Sequence, residues 1–431
     1  MKIRYIIYWA SLLLIIAIGA TAGEPVYLEH ADEMLGQSDQ GADTRLLIGN
    51  VKLRQGNVTV TCDKATEFIN ANKFNMSGHV VITQKTLKLR APFIDYDGNT
   101  YVAVASGGVE IIDKETKLTA TNGAYSTKTL EADFKNNVRI EDDSVIIFAD
   151  YVWHSRKSRN TRAIGNVDIQ GKYSNTKLLS DTVFHFPTSS YSVAKGEPIL
   201  LQVDTTFAKD IDSLSKKRLF VLDTMTITCD TMIALRTKPN ETYYFNGNLV
   251  MNKGNISARS HFGKYFKNRD IIELDSVPVV WYDSTQLHAD SINIRLKNNK
   301  LNNLVAYRNA LAISNTDTSY AARKEQIAGD MIEIVFESDS LKQIESTGNA
   351  KSLYFMSTDG NPDGCVRISS DKLIIEIKDG TAQNIIMIHQ VPGEYYPEQA
   401  ISGNEKDYYL PNYRWSNDRP KKIEIPIRES K

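Results

Sequence analysis

Cysteine is scarce in this chain: Cys62, Cys229 and Cys365 are its whole complement over 431 residues, odd in number, widely separated and without a C-x-x-C. That spacing excludes a disulfide scaffold and a zinc knuckle alike. A surplus of positive charge is missing too. With 51 Lys and Arg against 52 Asp and Glu the formal charge is -1, whereas a duplex binder needs spare cations to displace counterions from phosphate. Nucleic acid is therefore not an expected partner. Helical periodicity is nearly absent. Its best stretch, Thr205 to Leu219, holds Asp, Lys and Leu only loosely at helical spacing and reads as a loop excursion.

Catalytic signatures are lacking as well. There is no H-E-x-x-H, no G-x-S-x-G, no phosphate-cradling G-x-x-x-x-G-K-S/T, and no G-x-G-x-x-G between a strand and a helix. The seven histidines (His30, His79, His154, His185, His261, His288, His389) are scattered, share no repeat position and read as surface or strand residues. The pair Asp142-Asp143 lies in turn sequence, where solvation is the simplest role. No catalytic residue, metal ligand or cofactor is assigned, and an enzyme is not expected.

Only one long apolar run is present. Lys2 and Arg4 precede an apolar stretch from Tyr5 to Ile18, which ends in the small-x-small sequence Ala20-Thr21-Ala22. At about 14 residues it falls short of the roughly 20 that span a bilayer, so residues 1–22 read as a cleavable secretory signal. No cysteine follows to carry a lipid anchor. Cleavage removes two basic groups (51 minus 2 is 49, against 52 acidic), leaving a formal charge of -3. The expected location is the periplasm.

What the chain does have is a repeat. Gly49-Asn50-Val51, Gly78-His79-Val80, Gly107-Gly108-Val109, Asn136-Asn137-Val138 and Gly165-Asn166-Val167 recur every 29 residues. The opening returns, less regularly, at Gly196, Gly247, Ser276, Asn309 and Gly348, giving about ten units. Within each unit the alternation has period two, as in Val51-x-Leu53 and Val80-x-Ile82, while Lys52, Glu110, Arg139 and Asp168 take the alternate positions. That is a strand with one dry and one wet face.

A second anchor follows in every unit: an aliphatic, a spacer, then a small residue, as in Val60-Thr61-Cys62, Leu89-Arg90-Ala91 and Ile147-Phe148-Ala149. Cys62 and Cys229 thus fill a slot otherwise held by Ala, Ser or Gly and read as small buried hydrophobes. Seven of the small residues precede Asp (Asp63, Asp150, Asp181, Asp230, Asp290, Asp330, Asp371), read as carboxylates closing a local turn on a backbone N–H two residues on. From Gly393 the composition shifts to Tyr, Pro, Asn and charge, consistent either with a strap over the last strands or with a flexible partner-binding segment.

The pattern Gly-Asn-Val-x-Leu/Ile followed by aliphatic-x-Ala-Asp, as in Gly49-Asn50-Val51-Lys52-Leu53 with Val60-Thr61-Cys62-Asp63, or Asn137-Val138-Arg139-Ile140 with Ile147-Phe148-Ala149-Asp150, resembles the organic-solvent-tolerance (OstA-like) N-terminal domain, the LptA-like periplasmic module of lipopolysaccharide transport. The resemblance covers most of residues 25–390 and is strongest over Gly49 to Leu201. The chain departs from it in being longer than the family's short bridge protein and in carrying Pro198 and Pro278 where strands open. Too few residues follow Gly393 for a transmembrane barrel, so the outer-membrane translocon that shares the module is not expected.

The resemblance implies an all-β fold in which tandem repeats form an incompletely closed, twisted β-jellyroll. The expected organisation is a signal peptide (1–22), regular repeats (23–195), a less regular repeat region (196–392) and a Tyr/Pro-rich tail (393–431). It further implies a lipopolysaccharide-binding bridge or accessory protein that shields acyl chains in an apolar trough. The side chains expected along that path are Val51, Leu53, Val60, Val80, Ile82, Leu89, Val109, Ile111, Leu118, Val138, Ile140, Ile147, Val167, Ile169 and Leu178. The implied partners are lipopolysaccharide or lipid A, related β-jellyroll modules of inner- and outer-membrane proteins, and further copies of the chain head to tail, all docking through edge strands. The segments expected to dock are Val26 to Glu29, Arg45 to Leu53 and Leu373 to Ile388. Two other readings are compatible with the pattern: a secreted β-solenoid acting as a structural, adhesin or carbohydrate-binding scaffold, and a carbohydrate-active enzyme on a parallel β-helix.

Overall fold

The computed structural model describes residues 24–422, apart from 40–41, 174, 212–217, 238–239, 299, 316–319, 338–339, 359 and 379–380. The signal segment expected over 1–22 lies outside the described residues. The fold is all-β and jellyroll-like, and every described strand pairing is antiparallel. It falls into two units: residues up to Val109 with Ala124–Thr129, and Glu110–Gly123 with Leu130 onward.

The repeat is built on strands of 11 or 12 residues, among them Val58–Phe68, Lys73–Gln84, Val145–Ser155 and Thr161–Gly171. These are about twice the usual length, because each bends at its middle and serves two sheets. The bend falls at the Gly-Asn signature, where two residues are left-handed (Gly49 φ 75°, Asn50 φ 43°; Gly165 φ 75°, Asn166 φ 48°) and the register slips between Ile48 and Val51 and between Ile164 and Val167. Such a bulge kinks a strand without ending it. Where Pro198 or Pro278 follows the corner, the strand is interrupted, into Tyr191–Lys195 and Ile199–Ile211 and into Ile271–Asp275 and Val279–Tyr282. Proline cannot donate to the ladder.

The repeated Asp locks this corner rather than a local turn. Asn50 Nδ2 donates to Asp32 at 2.9 Å, Asn166 to Asp150 at 2.8 Å, Asn248 to Asp230 at 3.1 Å and Asn349 to Asp330 at 3.1 Å, partners 16 to 19 residues apart. His79 takes the Asn position, 2.8 Å from Asp63, and His389 does the same 3.8 Å from Asp371. These two histidines therefore do share a repeat position. The carboxylate packs so closely that a Cβ on Gly49 would lie 2.2 Å from Asp32 Oδ2, and one on Gly78 2.3 Å from Asp63 Oδ2. Glycine is required there twice over, by φ and by space.

In the first unit Leu53, Val60, Ile82 and Leu89 stand opposite one another on successive strands, as do Leu47, Ala65, Met76, Ile94 and Ala105 on the other halves of the same strands. Both rows are buried. In the second unit the equivalent aliphatic row runs unbroken through Leu118, Ile140, Ile147, Ile169, Leu178, Leu200, Ile227, Met251, Ala258, Val280, Leu287, Ala312, Ile327, Ser352 and Ile368. Cys62, Cys229 and Cys365 are buried thiols, and burial pushes Cys62 up to about 11 and Cys229 up to about 12. Asp168, expected on the wet face, is buried instead beneath Lys177 (2.9 Å) and Gln170 (3.3 Å). The stretch expected as a loop excursion is a hairpin extension: its backbone ladder continues through Phe207–Phe220 to Ile211–Arg218.

The tail is a strap. Gly393–Tyr396 adds a strand to Cys365–Ile368, and the following residues cross the outer face of the late strands. Ile401 and Leu410 bury there against Leu353, Phe355 and Cys365. Gln286 forms a two-way amide pairing with the Ser416 backbone (2.6 and 2.9 Å), and Gln326 accepts from Leu410 N at 2.9 Å. Arg323 anchors the turn, 2.6 Å from Glu398 and 3.6 Å from Glu405.

Candidate functional site

The aliphatic path expected from sequence is brought together, but not uniformly enclosed. Val51, Leu53, Val60, Val80, Ile82, Leu89, Val109, Ile111, Leu118, Val138 and Val167 are at most 8% exposed. Ile140, Ile147, Ile169 and Leu178 are only half-buried. These four are consecutive cross-strand neighbours, so they form one continuous apolar patch. Val138 and Val167, beside the corner, stay closed, while Ile140 and Ile169, two residues further along the same strands, open. The opening therefore lies at the seam opposite the corner.

The seam is governed by the residue two beyond each of these aliphatics. In the first unit it is glutamine. Tyr96 donates its hydroxyl to Gln55 Oε1, and Tyr125 donates to Gln84 Oε1 at 2.6 Å; Gln55 and Gln84 in turn donate to the carbonyls of Gly98 and Thr127, both at 2.8 Å. Leu53 and Ile82 behind these locks are sealed. At the next repeat the residue is Asp113, held by Arg156 at 2.8 Å, and Ile111 is 8% exposed. Next comes Asp142, whose carboxylate turns back to its own loop, accepting from Ser144 N and Val145 N at 2.8 Å each. Gly171 follows, with no side chain at all. These last two stand beside half-open Ile140 and Ile169. The lock returns at Gln202, which accepts from Tyr265 at 3.4 Å, and Leu200 is closed again at 3% exposure.

Histidines occupy the tyrosine positions of the open stretch. His154 and His185 lie in one cross-strand row with Thr161 and Ser192, to which their Nδ1 atoms bond at 3.0 and 2.9 Å. Burial holds both imidazoles below the usual histidine range, aided by Arg156 for His154 and Arg236 for His185. Neither was singled out by sequence, although both stand four residues after a repeat Asp. That offset was the available signal. The geometry offers an apolar floor with a polar, uncharged rim and no convergent acid–base pair.

The expected docking edges also need correction. Arg45–Leu53 is paired on both sides, to Val58–Phe68 and to Tyr27–His30 and Glu33–Asp39; the outer strands are the latter two. At the other end, Leu373–Lys378 is likewise flanked, and the outer strand is Thr381–Ile388. Met34, Leu35, Ile385 and Ile386 on these outer strands are exposed. No helix among the described residues is long and apolar enough to cross a membrane.

Compared with known proteins, residues 23–110 and 103–150 match the family described as OstA-like protein. No curated protein matches. Among solved structures the chain is similar to LptH of Pseudomonas aeruginosa, described as the LptA-homologous periplasmic component of the conserved lipopolysaccharide transport device, at 12% identity over 31% of this chain and 94% of that one, with a TM-score of 0.24. By the family match and the corner-and-seam architecture together, residues 23–150 are an LptA/OstA-like domain.

Proposed function

We propose that this is a periplasmic protein of lipopolysaccharide transport, a bridge or accessory that shelters acyl chains against its inner aliphatic row. The observation that supports this reading is the half-exposed patch of Ile140, Ile147, Ile169 and Leu178 in a row that is otherwise sealed on both sides of it. Moving a methylene into water costs about 0.8 kcal/mol, so a 12-carbon chain costs on the order of 9 kcal/mol. An apolar floor reached through an unlocked seam offsets that cost without chemistry. The eleven sealed positions then serve as core, and lipid contact falls to the four open ones. The outer strands at Tyr27–His30, Glu33–Asp39 and Thr381–Ile388 carry unpaired backbone edges that suit docking to like modules.

The test is photo-crosslinking in cells from a reactive residue at 140 or 169, with 82 and 52 as sealed and outward controls. Lipopolysaccharide adducts from 140 and 169 alone are expected. Adducts of equal yield from position 52 would overturn the reading.

A further inference from the structure

A separate cavity lies on the opposite face of the sheet from the aliphatic row, beneath the strap. Trp281 sits on the outer face of Val279–Tyr282, next to inward-facing Val280, and is the cross-strand neighbour of Gln286. The strap brings Trp415 to the same place. Between them is a cavity of about 230 Å³ whose polar rim includes Asn315, Asn417, Ser284 and Asp283. This is below the roughly 300–1,000 Å³ that holds a drug-sized ligand and suits a single small ring.

Its chemistry is specific. Two indoles supply flat apolar surface, while amide and hydroxyl groups supply both donors and acceptors. Trp281 is 3% exposed, yet its Nε1 has no hydrogen-bond partner among the described residues. A buried donor left in that state costs about 1–3 kcal/mol, which an accepting ligand would recover. An anion is disfavoured: the guanidinium at the rim, Arg419, already donates to the carbonyls of Asp283 (2.6 Å) and Asn255 (2.8 Å). A purely apolar ligand would strand the amides. We propose that this cavity is a binding site for a neutral pyranose residue, with the Trp281 N–H donating to a ring hydroxyl. The sugar could be free or part of the carbohydrate of a glycolipid. The site stands on a different face from the acyl-chain patch, so either can fail without the other.

The chain holds four tryptophans, Trp9, Trp153, Trp281 and Trp415, which makes indole NMR direct. The purified protein, labelled at tryptophan with ¹⁵N, is titrated with methyl α-D-glucopyranoside, methyl α-D-mannopyranoside, methyl α-D-galactopyranoside and core oligosaccharide freed of its acyl chains. Saturable shifts of the Trp281 and Trp415 signals, without movement of Trp153, are expected for at least one of these. Tighter binding of the core oligosaccharide than of any monosaccharide assigns the glycolipid source, and equal binding assigns free sugar. Trp281→Phe, which keeps the buried ring, and Asn315→Ala, at the rim, should each weaken binding about tenfold, the scale of one hydrogen bond lost in a buried site. Absence of any shift at Trp281 and Trp415, or binding unchanged in both variants, overturns the proposal and leaves the cavity to water.

Discussion

The strands between Leu47 and Tyr96 and those between Glu131 and Phe186 are two renderings of one repeat. Both have the Gly-Asn corner, the carboxylate lock and the same aliphatic slots. They differ at the seam, where the first has Gln55 and Gln84 bonded to Tyr96 and Tyr125 and the second has Asp142 and Gly171, with His154 and His185 in the tyrosine positions. Their aliphatics differ accordingly: Ile82 is fully buried and Ile169 is half-exposed. The corner sets the fold, and the seam decides whether the interior is a core or an accessible surface.

The strongest way to break this comparison is to truncate the same slot in both regions. Ile82→Ala removes a fully buried side chain and should cost about 2–5 kcal/mol, whereas Ile169→Ala, already partly in water, should cost less than half as much. Urea denaturation read by strand circular dichroism measures both. Equal costs would mean that the seam does not control burial. The complementary test uses what the regions share. Gly78→Ala and Gly165→Ala each place a Cβ against a corner carboxylate, at 2.3 and 2.6 Å, in a left-handed backbone, and each should cost about 1–3 kcal/mol. Here similar values are expected, because the corner is common to both.

Much of this was legible in the residues and some was not, for reasons that are physical. Period two and the 29-residue spacing reveal strands and the buried face because burial along a strand is a local property. The partner of Asp63 was not legible, because it stands on the next strand, His79, rather than in the adjoining turn. Burial of Asp168 was missed because Lys177 covers it from across a hairpin. The uniform list of path-lining aliphatics was too broad for a similar reason: exposure at Ile140 depends on a seam residue and a tyrosine about 41 positions further on, a separation no periodicity displays. The strap, by contrast, has a readable trace. Outer-face positions carry Lys or Thr in early repeats (Lys52, Thr59, Lys88) and become Trp281, Gln286, Ile313 and Gln326 where the tail lies over them.

A transplant sharpens the comparison at smaller cost. Asp142→Gln combined with His185→Tyr restores the residue types that seal the first unit, and His185 already lies within electrostatic reach of Asp142. The double variant should gain about 1 kcal/mol or less in stability, the net worth of one hydrogen bond, and crosslinking from position 140 should fall severalfold. Conversely, Tyr125→Phe leaves Gln84 Oε1 without its 2.6 Å donor and should let an environment-sensitive dye reach Ile82. If neither change alters access, the Gln–Tyr pair is ornament and something else closes the row.

The smallest expected effect is with pH, and its sign follows from the two histidines. Burial, then the positive charges of Arg156 and Arg159, hold His154 below its unfolded value, with Asp113 opposing; burial, then Arg236, does the same for His185, with Asp142 opposing. An imidazole kept neutral by the fold binds fewer protons than it does unfolded, so its contribution is intact above about pH 6.5 and is lost as pH falls below it. Hydrogen exchange at Val152–Ser155 and Val183–Phe186 should therefore quicken between pH 7 and 5, after correction for intrinsic rates. The equivalent tyrosine strand at Ile94–Asp97 should not change. His154→Gln with His185→Gln should flatten the response in the open stretch. A pH response of the same size in both strands would trace it to the carboxylates they share at the corners rather than to the seam.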